Sequence, residues 1–232
     1  MINLNNQSFT TLTLFDFGKK WFWPFKEMAY TNSNFSNVKG LEFNKVLGTG
    51  SGDGFSLIPD FSTYAILSVW TTRDYADLFF KNHKKFNEYI NNSNSFRHLE
   101  LKAIKSHGFW DGKEPFKSQE INQIDKDNSV AVITRATLNL NRLISFWKSV
   151  PEASTAIKNA KGVTFYKGIG ELPFIQQATI SIWKNNDAIN DFAYNQKEHA
   201  EIIKKTRKNN WYKEDLFSRF IVVSNSINKF KN

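Results

Sequence analysis

The chain contains no cysteine. That excludes disulfides, cysteine-bound zinc, iron–sulfur clusters and thiolate-ligated haem together. Its histidines are few: His83, His98 and His107 form no ligand spacing with His199, and no HExxH is present. No run approaches the roughly 20 apolar residues of a membrane span. The first residues, MINLNNQSF, carry no basic region followed by an apolar stretch, so no signal peptide is expected and the expected location is the cytoplasm. Long basic runs are missing too. The net charge is +9 and the pI about 9.5, yet the cations are scattered and cluster only in pairs such as Lys204-Lys205 and Arg207-Lys208. The charge reads as a solvated surface, with no nucleic-acid partner expected. The glycine run Gly48 to Gly54 lacks the Lys-Ser/Thr ending of a phosphate-binding loop and reads as a lid or hairpin.

Aromatic residues are plentiful: 22 Phe and 7 Trp bring the aromatic share to 16%. They can build a core or line a cavity for a large flat or apolar ligand. With 41% hydrophobic residues in 232, the chain can bury a core as one large domain or two small ones.

Hydrophobic periodicity predicts strands at 9–17, 41–47, 64–70, 96–105, 130–138, 163–167, 177–183 and 219–224. Helices are predicted over 72–91, with Thr72 as N-cap, over 141–160, interrupted at Pro151, and over 185–209. A further helix is expected within 18–35, where Pro24 suits only an early position. Each half therefore reads β-α-β-β-α-β. The segment Tyr64 to Trp70 (YAILSVW) resembles Gln177 to Trp183 (QATISIW) at an offset of 113 residues, which continues through Phe79/Phe192, Phe80/Ala193 and Ile90/Ile203. This is the pattern of a duplicated ferredoxin-like unit. The expected fold is α+β, two tandem ferredoxin-like halves forming a dimeric α+β barrel within one chain. The expected divisions are residues 8–106, a linker at 107–128, and residues 129–226.

The repeat isolates one residue. On the last predicted helix the apolar face runs Ile189, Phe192, Ala193, Gln196, His199, Ala200, Ile203. At the same offset His199 corresponds to Phe86. A polar ring on a core face must be paired, so His199 is either a core histidine bonded to backbone or water, or a metal ligand. A single imidazole without cysteine suits haem better than zinc, which needs three or four protein ligands.

Several motifs, in a shared order, carry a resemblance. In the second half they are Thr134-Arg-Ala-Thr137, Phe146-Trp147, Lys167-Gly-Ile-Gly-Glu171-x-Pro173, Ser181-Ile-Trp183, His199-Ala200 and Trp211-x-x-Glu214-x-Leu216-x-x-Arg219-Phe220. In the first they are Gly48 to Phe55, Ala65-Ile-Leu and Trp110-x-Gly112-x-x-Pro115-Phe116. From about Phe9 to Ser224 the chain resembles the spheroidene monooxygenase family of carotenoid ketolases. The resemblance implies an oxidoreductase that binds haem b and inserts oxygen at an allylic carbon of an acyclic carotenoid. His199 would be its axial iron ligand, as in α+β barrel haem enzymes more widely.

With that cofactor, Arg135 is the candidate distal catalytic residue, and either it or Thr134 should face the pocket. A surface or interface salt bridge is the alternative for Arg135. Glu171 is the candidate acceptor for the second ring nitrogen of His199. Lys167 is a candidate partner for a haem propionate, and Trp147 a candidate cofactor contact or a core residue. The implied partners are a small apolar substrate, molecular oxygen or peroxide, an external electron donor, peripheral contact with a membrane, and a second copy of the chain. Other functions on the same fold are an aldoxime dehydratase-like or peroxidase-like reaction, a cofactor-free monooxygenase of the antibiotic-biosynthesis type, and a haem-binding module without turnover.

Overall fold

The computed structural model describes residues 7–28, 30, 35, 37–52, 56, 58–119, 127–172, 174–195, 205–206 and 208–230. Eight strands form one closed antiparallel barrel. They are β1 (Phe9–Asp16), β2 (Leu41–Gly50), β3 (Pro59–Trp70), β4 (Ser95–Gly108), β5 (Val130–Leu138), β6 (Val163–Leu172), β7 (Gln176–Trp183) and β8 (Tyr212–Lys229), in the spatial order β1-β3-β2-β6-β7-β5-β8-β4. The first four strands and the last four each follow the ferredoxin-like order 4-1-3-2, as the α+β reading expects. Helices α1 (Phe22–Met28), α2 (Arg73–Asn82), α3 (Lys84–Asn92), α4 (Leu143–Lys158) and α5 (Asn186–Asn190) pack on the outside.

The two halves meet along unequal seams. β4 and β8 pair from Ser95↔Lys229 to Gly108↔Leu216, whereas β2 and β6 share only Gly48↔Gly170 and Thr49↔Ile169. Two inter-half ion pairs flank the short seam, Lys45 with Glu171 on one side and Lys167 with Asp60 on the other.

Period-2 alternation sorts side chains between two layers. Leu12, Leu14, Leu47, Leu67, Leu99, Ala131, Ile133, Ile169, Ile180 and Phe220 fill the barrel. The opposite faces of the strands lie under the helices. The duplication survives in three dimensions there. Trp70 packs on Phe79 with ring centroids 5.0 Å apart, and Trp183 on Phe192 at 4.9 Å.

Several sequence expectations are corrected. The helix predicted over 72–91 is two helices, because His83 is extended (φ −76°, ψ 113°) and its Nδ1 accepts from the Phe86 N–H. Thr72 holds the N-cap position of α2 without a side-chain cap bond. α4 runs through Pro151, which lies on an exposed face. The 107–128 segment does not simply link. It turns at Trp110↔Lys113 and inserts Trp110 and Phe116, which are 0% and 4% exposed, into the barrel core. The helix predicted over 185–209 begins as expected, with the Asn185 side chain capping Ala188 N–H, and widens into a π-turn at Asp191–Asn195. Residues 196–204, His199 included, lie outside the described residues.

Candidate functional site

The layer beneath the helices differs between halves. In the first it is filled by Phe9, Phe15, Phe17, Phe35, Tyr64, Ile66, Trp70, Phe79, Phe86 and Tyr89. Phe86 is 3% exposed and packs on Phe15, Phe79 and Phe80. In the second half two smaller clusters stand apart, one around Val132, Trp183, Ile189 and Phe192 and the other around Ala136, Phe146, Val150 and Trp211. Between them is a cavity of about 690 Å³.

The strand registers explain it. Phe15 pairs with Tyr64 and Thr13 with Ile66 in the first half; Ala136 pairs with Gln177 and Thr134 with Thr179 at the matching places in the second. Phe15, Tyr64 and Ile66 are thus replaced by Ala136, Gln177 and Thr179. One position loses nearly a whole ring, and two trade large apolar groups for smaller polar ones. Sequence reasoning aligned Tyr64–Trp70 with Gln177–Trp183 but missed this signal, which was present in that alignment.

The cavity wall is apolar at Trp183, Phe192, Phe146 and Trp211 and polar along the sheet, at Thr134, Gln177, Thr179 and Ser181. The hydroxyls of Thr134 and Thr179 are 2.7 Å apart. β4 extends beyond its own half, so that Lys105 and His107 also line the space; the exposed His107 ring stacks on Phe217 at 5.2 Å. Arg219, another lining residue, donates to Asn186 Oδ1 at 2.7 Å and Asn190 Oδ1 at 3.0 Å. Ala193 and Thr206 line it as well, and His199 falls between them in sequence. Among the described residues, no group of three or more His, Cys, Asp or Glu side chains could hold a metal ion.

Arg135 is among the residues that line this cavity, whereas Glu171, Lys167 and Trp147 are not. Arg135 alternates with Thr134 and directs its guanidinium to the barrel side. It is paired there with Glu214, with Asp111 at 2.8 Å and with Glu171 at 3.8 Å. Its side chain is 1% exposed, and its Nε has no hydrogen-bond partner among the described residues. Glu171 bonds Lys45 and accepts from Trp110 Nε1 at 2.7 Å, and Lys45 also bonds Asp111. Glu214 accepts from the backbone N–H groups of Asp111 and Gly112 at 2.9 and 2.8 Å. This network pins the Trp110 turn into the barrel. Burial pushes the Glu214 carboxyl up, but the Gly112 and Asp111 N–H groups and the Arg135 cation outweigh it and hold the pKa below the usual range. Burial likewise opposes the Lys45 charge, and its bonds to Asp111 and Glu171 outweigh that and raise its pKa.

Lys167 donates to the Gly52 carbonyl at 2.8 Å and reaches Asp60 at 3.4 Å. The Trp147 indole donates to the Phe174 carbonyl at 3.1 Å beside a shallow apolar groove formed with Leu143, Ile144 and Phe174. The structure therefore brings Arg135 and Glu171 together, away from Trp147 and Lys167.

Two ferredoxin-like units closed into one barrel, with a ligand-sized cavity under the helices of the second, define an α+β barrel of the kind seen in aldoxime dehydratase. One crystal structure of that enzyme has a TM-score of 0.60 at 10% identity, covering 96% of this chain and 83% of the other. A second, with butyraldoxime bound, has the same TM-score and identity, covering 96% and 81%. At that identity the likeness is one of fold. No family model matches the chain. The sequence is 31% identical over 216 residues to spheroidene monooxygenase of Cereibacter sphaeroides, covering 92% of this chain and 66% of the relative. It is 28% identical over 198 residues to the enzyme of that name from Rhodobacter capsulatus, covering 85% and 82%. The chain belongs to the spheroidene monooxygenase family, and it spans about two thirds of the length of the first of these relatives.

Proposed function

We propose that this chain is a haem-dependent monooxygenase that oxygenates an apolar substrate, such as an acyclic carotenoid, at an allylic carbon. Haem b would occupy the second-half cavity, and His199 would hold its iron. The observation that carries the reading is the cavity itself, which opens where the first half packs aromatic side chains solidly.

The residues present fit such a group. A volume of about 690 Å³ lies within the roughly 300–1,000 Å³ usual for ligand sites. The Trp183, Phe192 and Phe146 side chains suit a flat apolar macrocycle. Lys105 and Arg219 supply positive charge that suits carboxylates. His199 enters through its sequence position, between Ala193 and Thr206 and opposite Phe86 in the repeat. Haem supplies the oxygen-activating chemistry when bound.

The chain's own residues have distinct tasks. The apolar walls exclude water and accommodate a hydrocarbon substrate. Thr134 and Thr179 share one hydroxyl proton in their 2.7 Å bond, which leaves the other proton to donate to a polar atom in the cavity. That assigns the sheet-side polar role to Thr134 and Thr179. Arg135 and Glu171 hold the barrel plug that backs this wall.

The test is the absorption spectrum of protein prepared with haem supplied. A Soret band is expected, lost in His199→Ala and retained in His107→Ala, which removes the histidine described at the cavity. Wild-type protein without a Soret band, or an unchanged band in His199→Ala, refutes the assignment.

A further inference from the structure

One surface of the first half presents aromatic rings to water. α1 is inverted relative to an ordinary surface helix. Its inward side carries Pro24, which is buried, and Trp23, which packs on Phe17 and Tyr89 at 5.7 and 5.1 Å. Its inward acid Glu27 is paired with Lys85 at 2.7 Å. Its outward side carries Phe22 and Phe25, which are 64% and 52% exposed. Trp21 and Phe61, 47% and 48% exposed, join them. Trp21 touches Phe22 at 5.8 Å and Phe61 at 6.0 Å, and Phe25 touches Phe61 at 6.0 Å. These four rings form one contiguous apolar patch, and a patch of that kind on a soluble surface marks an interaction site.

Charge identifies the occupant. Lys19, Lys20 and Lys26 are exposed and sit within the same Gly18–Met28 stretch as the rings. Exposed Trp and Phe interleaved with lysine suit the interface of a bilayer, where rings enter the headgroup boundary and ammonium groups meet lipid phosphates. The whole chain, at +9, is drawn to the same sign of surface. A protein partner would need an acidic face ringed around an apolar centre, whereas an anionic bilayer offers both everywhere.

We propose that the Trp21, Phe22, Phe25 and Phe61 patch with its flanking lysines docks the protein on the surface of membranes containing anionic lipids. The rings insert to the headgroup level and Lys19, Lys20 and Lys26 contact the lipid phosphates. No helix among the described residues is long and apolar enough to span, so this contact is peripheral. It does not depend on haem binding, and the two proposals fail separately.

Vesicle co-sedimentation of the full chain tests it, with phosphatidylglycerol–phosphatidylcholine vesicles against phosphatidylcholine alone. Binding to the anionic vesicles is expected, and much weaker binding to the neutral ones. The triple substitution Lys19→Ala/Lys20→Ala/Lys26→Ala should weaken it about 100-fold, near fivefold per lysine. Trp21→Ser/Phe22→Ser should weaken it at least tenfold with the urea midpoint unchanged, since both side chains are exposed. Three results overturn the proposal. One is no sedimentation with anionic vesicles. The second is sedimentation that the aromatic substitutions leave intact, which would mean adsorption by net charge alone. The third is a wild-type dimer, without vesicle binding, that the aromatic substitutions dissociate.

Discussion

Beneath the helices the first half of the barrel is solid and the second is hollow, although one residue register runs through both. The pair Trp70–Phe79 recurs as Trp183–Phe192 with nearly the same separation, so the frame is conserved between halves. The difference lies in three strand positions facing the helices: Phe15, Tyr64 and Ile66 on one side, and Ala136, Gln177 and Thr179 on the other. A duplicated unit can thus keep its framework from a few large side chains and gain a ligand site by trimming its neighbours. The trimmed half loses dispersion contacts and hydrophobic burial there, while the untrimmed half supplies stability.

The largest expected contrast comes from the framework pair. Phe79→Ala removes a ring packed on Trp70, Phe35, Phe80 and Phe86 and should cost about 3–5 kcal/mol in urea unfolding. Phe192→Ala, beside an existing cavity, should cost clearly less. Equal losses would show that the second half is no looser than the first.

A second substitution probes what joins the halves. Arg135→Met strips the buried cation from Glu214, Asp111 and Glu171 and frees the plug those carboxylates help to hold. Removing one partner of a buried ion cluster should cost about 3–5 kcal/mol. Lys167→Met, on the other side of the short seam, breaks a bond to the Gly52 carbonyl and should cost about 1 kcal/mol. The reverse order would move the joint between halves from the plug to Lys167.

The third effect separates the halves by pH. Burial lowers the pKa of His98, in the first half, to about 4, where its Nδ1 meets the Thr13 hydroxyl at 2.8 Å. The folded value lies below the unfolded value of about 6.5. The stabilisation by neutral His98 is therefore complete above pH 6.5 and is lost as pH falls towards 4, up to about 3 kcal/mol. Glu214, in the second half, is also lowered, but from a carboxylate's ordinary value, so its contribution is lost only in stronger acid. Unfolding free energies across pH 4–7 should decline in the wild type and flatten in His98→Gln. A decline that persists in that variant would assign the acid sensitivity elsewhere.

Much of the fold was legible in the sequence, because strand alternation and the 113-residue repeat are local patterns that tertiary contacts reinforced. Most strands were predicted too short, at ends where pairing across the barrel extends them beyond the apolar alternation. The break at His83 was missed because the apolar face continues through it. The Trp110 plug was missed because a polar, glycine-containing stretch reads as a linker unless its burial is known. Arg135 was noticed for its chemistry, but alternation alone could say only that it and Thr134 face opposite sides. It could not say that the hydroxyl takes the cavity and the guanidinium the barrel.

By itself, then, the sequence determined the α+β duplication and the absence of cysteine chemistry, and it set His199 against Phe86 only as an expectation of the repeat offset, since periodicity and composition are properties of the chain alone. Only the tertiary structure decided that the halves close through one long seam and one short one, that Trp110 fills the barrel, and that the second half is hollow. Those depend on which side chains meet across strands distant in sequence and on how much space they leave.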